Sequence, residues 1–445
     1  MNRKPKHMLA ALVGGAALMA VAACGGGGGA APKAGSQPEL SAPPTKAGTL
    51  TMVTKFADPK YAPYFEGVVK DYEAANPQVK IQLDQVADQP YKDKIRVLSA
   101  SKQLPDIYFS WAGDFANKFV RAGLAADLTS VVGPTTEWGK TLAPAALKAF
   151  EYDGKNYGVP IDLDGKYMAY NKTIFEKAGV TVPKTLPELL TACDKLKSAG
   201  VQPIALGNQF GWPAIHYITQ LNAYNVPPAT LASDYNPATG QFTDPGYVKA
   251  LQQFSDINTK CGTPNANGIS HEAAQANFMS GKAAMQYVES VEFNAFTEKG
   301  GASPTFAKSW DFFRLPPPDS PAGDPKALTG APDGFLVNAK SQNTALAVDF
   351  LMFMTNKDNA SKMTKELGWL SPVQGSATPE NSFPQLTKTL EDMNQASQFA
   401  IWLDTVTHAD VASAYLAGVE GMLGGKLTPE QVVQAVQKAA QKAQK

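Results

Sequence analysis

Asp162 and Asp164 are the residues whose type and spacing most directly suggest chemistry. Residues two apart in a strand point to one side, so both carboxylates can face one cleft. Such a pair can serve as acid and base on a glycosidic bond when about 5–5.5 Å apart. It can equally accept hydrogen bonds from the hydroxyls of a bound polyol. Binding is the better supported of the two, because no other acid lies in a recognised catalytic motif. Ser, Cys and His form no nucleophile grouping either. The four histidines, at positions 7, 216, 271 and 408, are scattered. His271-Glu272 starts a zinc-protease-like string, but Gln275 follows where a second His is required, so no metal is expected. No cofactor is expected. The glycines at 25–29 have no preceding strand, and Gly281-Lys282-Ala283 lacks the earlier Gly and the hydroxyl of a phosphate loop. Lys+Arg and Asp+Glu balance at 40 each, which argues against a nucleic-acid partner, since phosphate binding needs a basic field.

The elements that must position these acids follow from pattern. Gly154, Gly158 and Pro160 punctuate a short strand over residues 156–159, immediately before the aspartates. Tyr167, Met168 and Tyr170 then lead to Asn171, a suitable N-cap for a helix over 173–177. Upstream, Leu50, Met52 and Thr54 alternate as in a strand. Phe65, Val68, Val69 and Tyr72 mark one face of a helix, and Val79, Ile81 and Leu83 form a second strand. Residues 104–109 read as a turn into a buried strand. Alternating strands and helices imply a mostly parallel sheet, and ligands of such sheets bind beyond the carboxyl ends of the strands. That rule points at Phe56, Asp58, Trp111 and Asp114. A later strand over 203–208 ends in Asn208, followed by Phe210 and Trp212.

At 445 residues the chain exceeds one compact core and suits two large domains. Residues 1–7 are basic and 8–20 apolar, a stretch suited to a signal-peptide core and short of the ~20 residues of a spanning helix. Val21-Ala22-Ala23-Cys24 follows. Residues 25–48 are Gly, Ala, Pro and Ser with almost no large apolar residue, which predicts a flexible tether spanning roughly 25–30 Å. The expected division is a signal peptide over 1–24, the tether over 25–48, a first lobe over 49–158 plus about 328–360, and a second lobe over 159–327 plus about 361–445.

Five blocks, in order, resemble the extracellular solute-binding proteins of ABC importers, in the sugar-binding branch that includes maltose-binding protein. Gly154-Lys155, Tyr157-Gly158-Val159-Pro160 and Tyr170-Asn171-Lys172 resemble that family's hinge crossover. Pro105-Asp106, Trp111, Ala122-Gly123-Leu124 and Asp127-Leu128-Thr129 resemble its second block. Pro183-Lys184-Thr185 with Glu188, then Phe278 with Gly281-Lys282-Ala283-Ala284-Met285, then Gly330 with Asp333-Gly334-Phe335, complete the set. Where the family has a Trp shortly after the Met, this chain has Val291. Phe293, Glu289 or Ser290 must therefore supply that ligand contact, or it is absent.

The resemblance implies an α/β, periplasmic-binding-protein-like fold: two α/β lobes joined by a hinge, with the ligand cleft between them. It implies a binding protein, not an enzyme, that passes a sugar or short oligosaccharide to an ABC permease. It places Asn208, Phe210 and Trp212 on the second-lobe wall and brings Trp369 back towards the ligand. Trp111, Trp212, Trp369 and Phe56 would face the sugar's C–H faces. Asp58, Asp114, Asp164, Asn208 and Asp333 would face its hydroxyls. Cys24 resembles a lipobox cysteine, so lipid attachment, a location on the outer face of the cell membrane and a monomeric chain are expected. A peptide, polyamine or anion is the alternative cargo. The abundance of acids among these residues favours neutral polyols or cations over anions. Cys193 and Cys261 remain. Outside the cytoplasm such a pair can oxidise, and the sequence leaves a bridge and two buried thiols both open.

Overall fold

A computed structural model describes residues 46–444. The signal segment, Cys24 and the tether up to residue 45 lie outside the described residues.

The first sheet forms where apolar residues are continuous or alternate. β1 (Gly48–Thr54) pairs in parallel with β2 (Val79–Gln85) on one side and β3 (Ile107–Trp111) on the other. β3 is buried along its whole length, as expected of a strand covered on both faces. The intervening helix α1 (Ala62–Ala75) turns Tyr64, Phe65, Val68 and Tyr72 inward and stops before Pro77, which cannot continue it. α2 (Asp88–Ala100) covers the other connection, and α3 (Asp114–Arg121) follows β3 directly. A small hairpin, β4 (Glu151–Tyr152) and β5 (Lys155–Asn156), precedes β6 (Gly158–Pro160).

The chain then leaves this layer through Ile161–Leu163 and enters β7 (Asp164–Asn171), the central strand of a second sheet. β8 (Gln202–Ala205), β9 (Ala283–Glu289), β10 (Trp310–Phe313) and β11 (Leu328–Ala331) complete most of it. α4 (Leu186–Ser198) begins at Thr185, whose hydroxyl accepts from the Glu188 N–H. α5 (Trp212–Asn225) is buried on every side, and α6 (Pro245–Cys261) packs on α4 and α5. Cys193 of α4 and Cys261 of α6 form a disulfide, with Cα atoms 5.3 Å apart.

At Pro332 the chain crosses back, and β12 (Asp333–Val337) inserts between β3 and β6, antiparallel to both. α7 (Thr344–Met354) and α8 (Lys357–Leu367) cover the first sheet. Lys362 of α8 pairs with Asp71 of α1 at 3.1 Å, and the Tyr64 hydroxyl donates to the Asn359 carbonyl at 3.0 Å. Val373 still bridges to Leu142, and Ser361 bonds the Ser376 carbonyl, before α9 (Pro384–Gln395) returns to the second layer. β13 (Phe399–Ala400) extends the second sheet beside β11. The short α10 (Leu403–Val406), then α11 (Ala409–Leu423) and α12 (Pro429–Ala443), close the chain against α5 and α6. Thr428 and Gln431 form the reciprocal cap expected of α12.

Two boundaries differ from the sequence expectation. β11 belongs to the second sheet, so the return to the first layer falls at Pro332, not at about 328. Pro332 carries no N–H for a ladder bond, which lets the chain change sheets there. α8 packs on α1, so the first layer extends through the 370s and not to about 360.

Candidate ligand-binding site

The facing ends of the two layers enclose a cavity of about 80 Å³. β3 and β12 place Trp111 directly opposite Asp333 in register, at the cleft end of the first sheet. Lys55, just after β1, and Asp88 and Lys92, one turn apart on α2, complete that wall. The second layer contributes Asp164 at the start of β7 and Glu289 at the end of β9. It also contributes Trp212 and His216 from the first turns of α5. Trp402, Asp404 and Thr405, around the start of α10, close the remaining side.

The site is densely charged. Lys55 pairs with Asp333 at 2.9 Å and with Asp88 at 3.6 Å, and its ammonium stands 4.8 Å from the rings of Phe109 and Trp111. Burial opposes its charge, but Asp333 and Asp88 outweigh burial and raise its pKa. Asp162 lies in the crossing between the layers. Its Oδ1 accepts from the Asp333 N–H at 2.7 Å, and burial, then Asp333, raises its pKa well above the usual range. Asp164 Oδ1 accepts from the Ser290 hydroxyl at 2.7 Å and the Val291 N–H at 3.3 Å. Burial, then the Glu289 and Asp162 charges, raises its pKa as well. The β7–β9 register sets Lys166 opposite Glu289. The Lys166 side chain is wholly buried, 3.2 Å from Glu289 Oε1 and 4.7 Å from the Trp212 ring.

His216 lies between two acids. Its Nδ1 is 3.4 Å from Glu289 Oε1, without hydrogen-bond alignment, and its Nε2 is 3.9 Å from Asp404 Oδ1. Its ring stacks on Trp402 at 4.3 Å and 22°. Burial, then nearby Lys166, lowers its pKa, while burial raises that of Asp404. Both His216 Nδ1 and Asp404 Oδ1 are buried without a hydrogen-bond partner.

Of the residues singled out from sequence, the structure gathers Trp111, Asp164, Trp212, Glu289 and Asp333 in this cavity, with Asp162 and Ser290 directly behind it. The others are placed elsewhere. Phe56 and Trp369 pack together in the first core at 5.3 Å, and the Trp369 N–H donates to the Val291 carbonyl. Asp58 is exposed in the turn before α1, with Oδ1 accepting from the Lys60 N–H. Asn208 is buried, bonding Asn267 and accepting from the Ala214 N–H in the first turn of α5. Phe210 is 49% exposed, and Phe293 is fully buried in the second layer's core.

Asp114 accepts from Arg121 at 2.5 and 3.0 Å and lines a separate groove of about 770 Å³ with Gly113, Tyr152, Tyr235 and Phe399. That groove is larger, yet Asp114 within it is already paired. The smaller cavity draws Trp111, Asp333, Trp212, Asp164 and Glu289 from both layers and carries two buried unpartnered atoms, on His216 and Asp404, which makes it the better candidate.

Sequence reasoning did not select Lys55, Asp88, Lys92, His216, Trp402, Asp404 or Thr405. Lys55 had a signal. Phe56 continues the inward alternation of Leu50, Met52 and Thr54, which leaves the strand-end Lys on the other face. Among the described residues no cluster suited to a metal occurs, and no helix is long and apolar enough to cross a membrane.

Two α/β layers, joined by chain crossings and sharing one charged, aromatic cleft, define a binding protein built around its hinge. The chain belongs to the bacterial extracellular solute-binding proteins, whose family model matches residues 58–361. An uncharacterized ABC transporter extracellular-binding protein of Pyrococcus horikoshii is 24% identical over 327 residues, covering 72% of this chain and 69% of that one. The multiple sugar-binding protein of Streptococcus mutans is 26% identical over 190 residues, 42% of each chain. The solved structure of a chitin oligosaccharide binding protein superposes with a TM-score of 0.81 at 24% identity, covering 90% of this chain and 99% of the other, which shows the shared fold.

Proposed function

We propose that the protein captures a sugar or short oligosaccharide between its two layers and delivers it to the permease of an ABC importer. The observation that carries this reading is the convergence of rings and acids from both layers on one cavity: Trp111 and Asp333 from one, Trp212, Asp164 and Glu289 from the other. A sugar's C–H faces suit the rings, and its hydroxyls suit acceptor carboxylates. The cavity of about 80 Å³ is far below the roughly 300–1,000 Å³ of ordinary ligand sites, so the layers must part to admit a guest. A ligand touching both layers then favours their closed arrangement, which the permease can recognise.

Asp162 and Asp164 act in binding and hinge geometry. Asp162 is engaged by the Asp333 N–H and Asp164 by Ser290, and only Asp164 lines the cavity. Lipid on Cys24 holds the protein, as a monomer, on the outer face of the membrane. Titration calorimetry of the mature chain against a carbohydrate panel tests the reading. Micromolar binding of at least one sugar, lost in Trp111→Ala and Asp164→Ala, is expected. Hydrolysis of a bound sugar, or affinity unchanged in both variants, overturns it. Loss of labelled fatty-acid incorporation in Cys24→Ala tests the anchor.

A further inference from the structure

The cavity holds more carboxyl groups than cations to pair them. Five carboxylates line it against two lysines. Lys55 is taken by Asp333 and Asp88, and the lysine behind the cavity, Lys166, by Glu289. Lys92 lies over the Trp111 ring at 5.1 Å. Among the described residues, Asp164 has no cationic side chain within ion-pair reach, and Asp404 has only the His216 ring at 3.9 Å. Asp162, immediately behind, adds a third carboxylate without an ion pair. One lysine therefore stands against three acids.

A second observation is independent of that count. His216, 4% exposed, and Asp404, its side chain 9% exposed, both line the cavity, and each carries a buried polar atom without a hydrogen-bond partner. Asp404 Oδ1 can only accept when ionised, so it awaits a donor. A hydroxyl brings one donor and no charge. An ammonium brings three donors and the missing positive charge.

We infer that the guest is an amino sugar or an oligosaccharide bearing a free amine, with its ammonium placed between Asp164 and Asp404. This rests on the carbohydrate reading above and narrows it. Burying unpaired carboxylates in a closing cleft opposes closure, and a cationic guest removes that opposition while a neutral sugar leaves it.

The test uses the mature chain and matched pairs at pH 6.5: glucosamine with glucose, galactosamine with galactose, and glucosamine dimers to tetramers with cello-oligosaccharides and with their N-acetylated forms. Calorimetry is expected to show the amine-bearing member binding at least tenfold tighter. That preference should collapse in both Asp164→Asn and Asp404→Asn. A neutral or N-acetylated member that binds as well as its amine partner overturns this inference and leaves the carbohydrate reading standing. Binding of spermidine, with every sugar inert, overturns the carbohydrate reading and this inference with it. A preference for amines that survives in both variants overturns the placement between these two acids.

Discussion

Replacing Asp164 by Asn separates what the cleft does for its ligand from what it does for the fold. The Asn oxygen can still accept from the Ser290 hydroxyl and the Val291 N–H, so the local bonds persist. What disappears is a buried negative charge facing Glu289 and Asp162. Because the folded-state pKa of Asp164 is raised above its unfolded value near 3.9, the wild type is unpenalised below that pH. It loses stability as pH rises through the folded value. The variant should therefore melt above the wild type at pH 8 and with it at pH 4. Ligand affinity should move the other way. Losing one charge-assisted bond of about 1.5–3 kcal/mol weakens binding roughly tenfold to 150-fold. Calorimetric melts from pH 4 to 8, with titrations at pH 7, read both effects. A melting point that falls at neutral pH, or a gain that does not depend on pH, would refute the electrostatic account.

Three further outcomes are expected. Lys166→Met strands Glu289 without its ammonium and should cost about 3–5 kcal/mol in denaturant unfolding; a loss under 1 kcal/mol would show the pair is not held. Opening the Cys193–Cys261 bridge, which spans 68 residues, should cost about 4 kcal/mol of stability on loop entropy, with ligand affinity unchanged because neither cysteine lines the cleft. In Gly113→Ala the new methyl would lie 2.8 Å from the Val406 Cα on the opposite layer, at a φ of 84° that only glycine adopts freely. It should wedge the layers apart, seen as a larger radius of gyration in solution scattering and roughly tenfold weaker binding, about 1.4 kcal/mol.

The parts legible in the sequence came from three different signals. The carboxyl-end rule selected Trp111, the two-residue spacing of the acids selected Asp164, and the family resemblance selected Glu289 and Asp333; the structure brings the four together. The carboxyl-end rule also selected Phe56, Asp58 and Asp114. It locates the end of a sheet but not which face a side chain takes, and each of the three turns to the core, to solvent or to Arg121. Asp88 and Lys92 belong to a helix face, which a strand rule cannot see. His216 is hidden for another reason. α5 is buried all round although it carries His216, Thr219, Gln220, Asn222 and Asn225, so no amphipathic stripe marks its orientation. Trp402 and Asp404 come from the far end of the chain. The packing of α10 on α5, through the Leu403 N–H to the Thr219 hydroxyl, and on α3 brings them to the site.

The covalent chain runs between the two layers at residues 161–163, at Pro332 and again in the 370s. Two such tethers define an axis and a third resists twist about any other line, so separation reduces to a single swing. Displacement in a swing grows with distance from the axis. In such a swing Asp162 and Asp333, bonded to each other within the tethers themselves, would move least, and Gly113 and Val406, held by no tether, most. A guest would then meet a preassembled inner corner of Lys55, Asp333 and Asp162 before the outer wall forms around it.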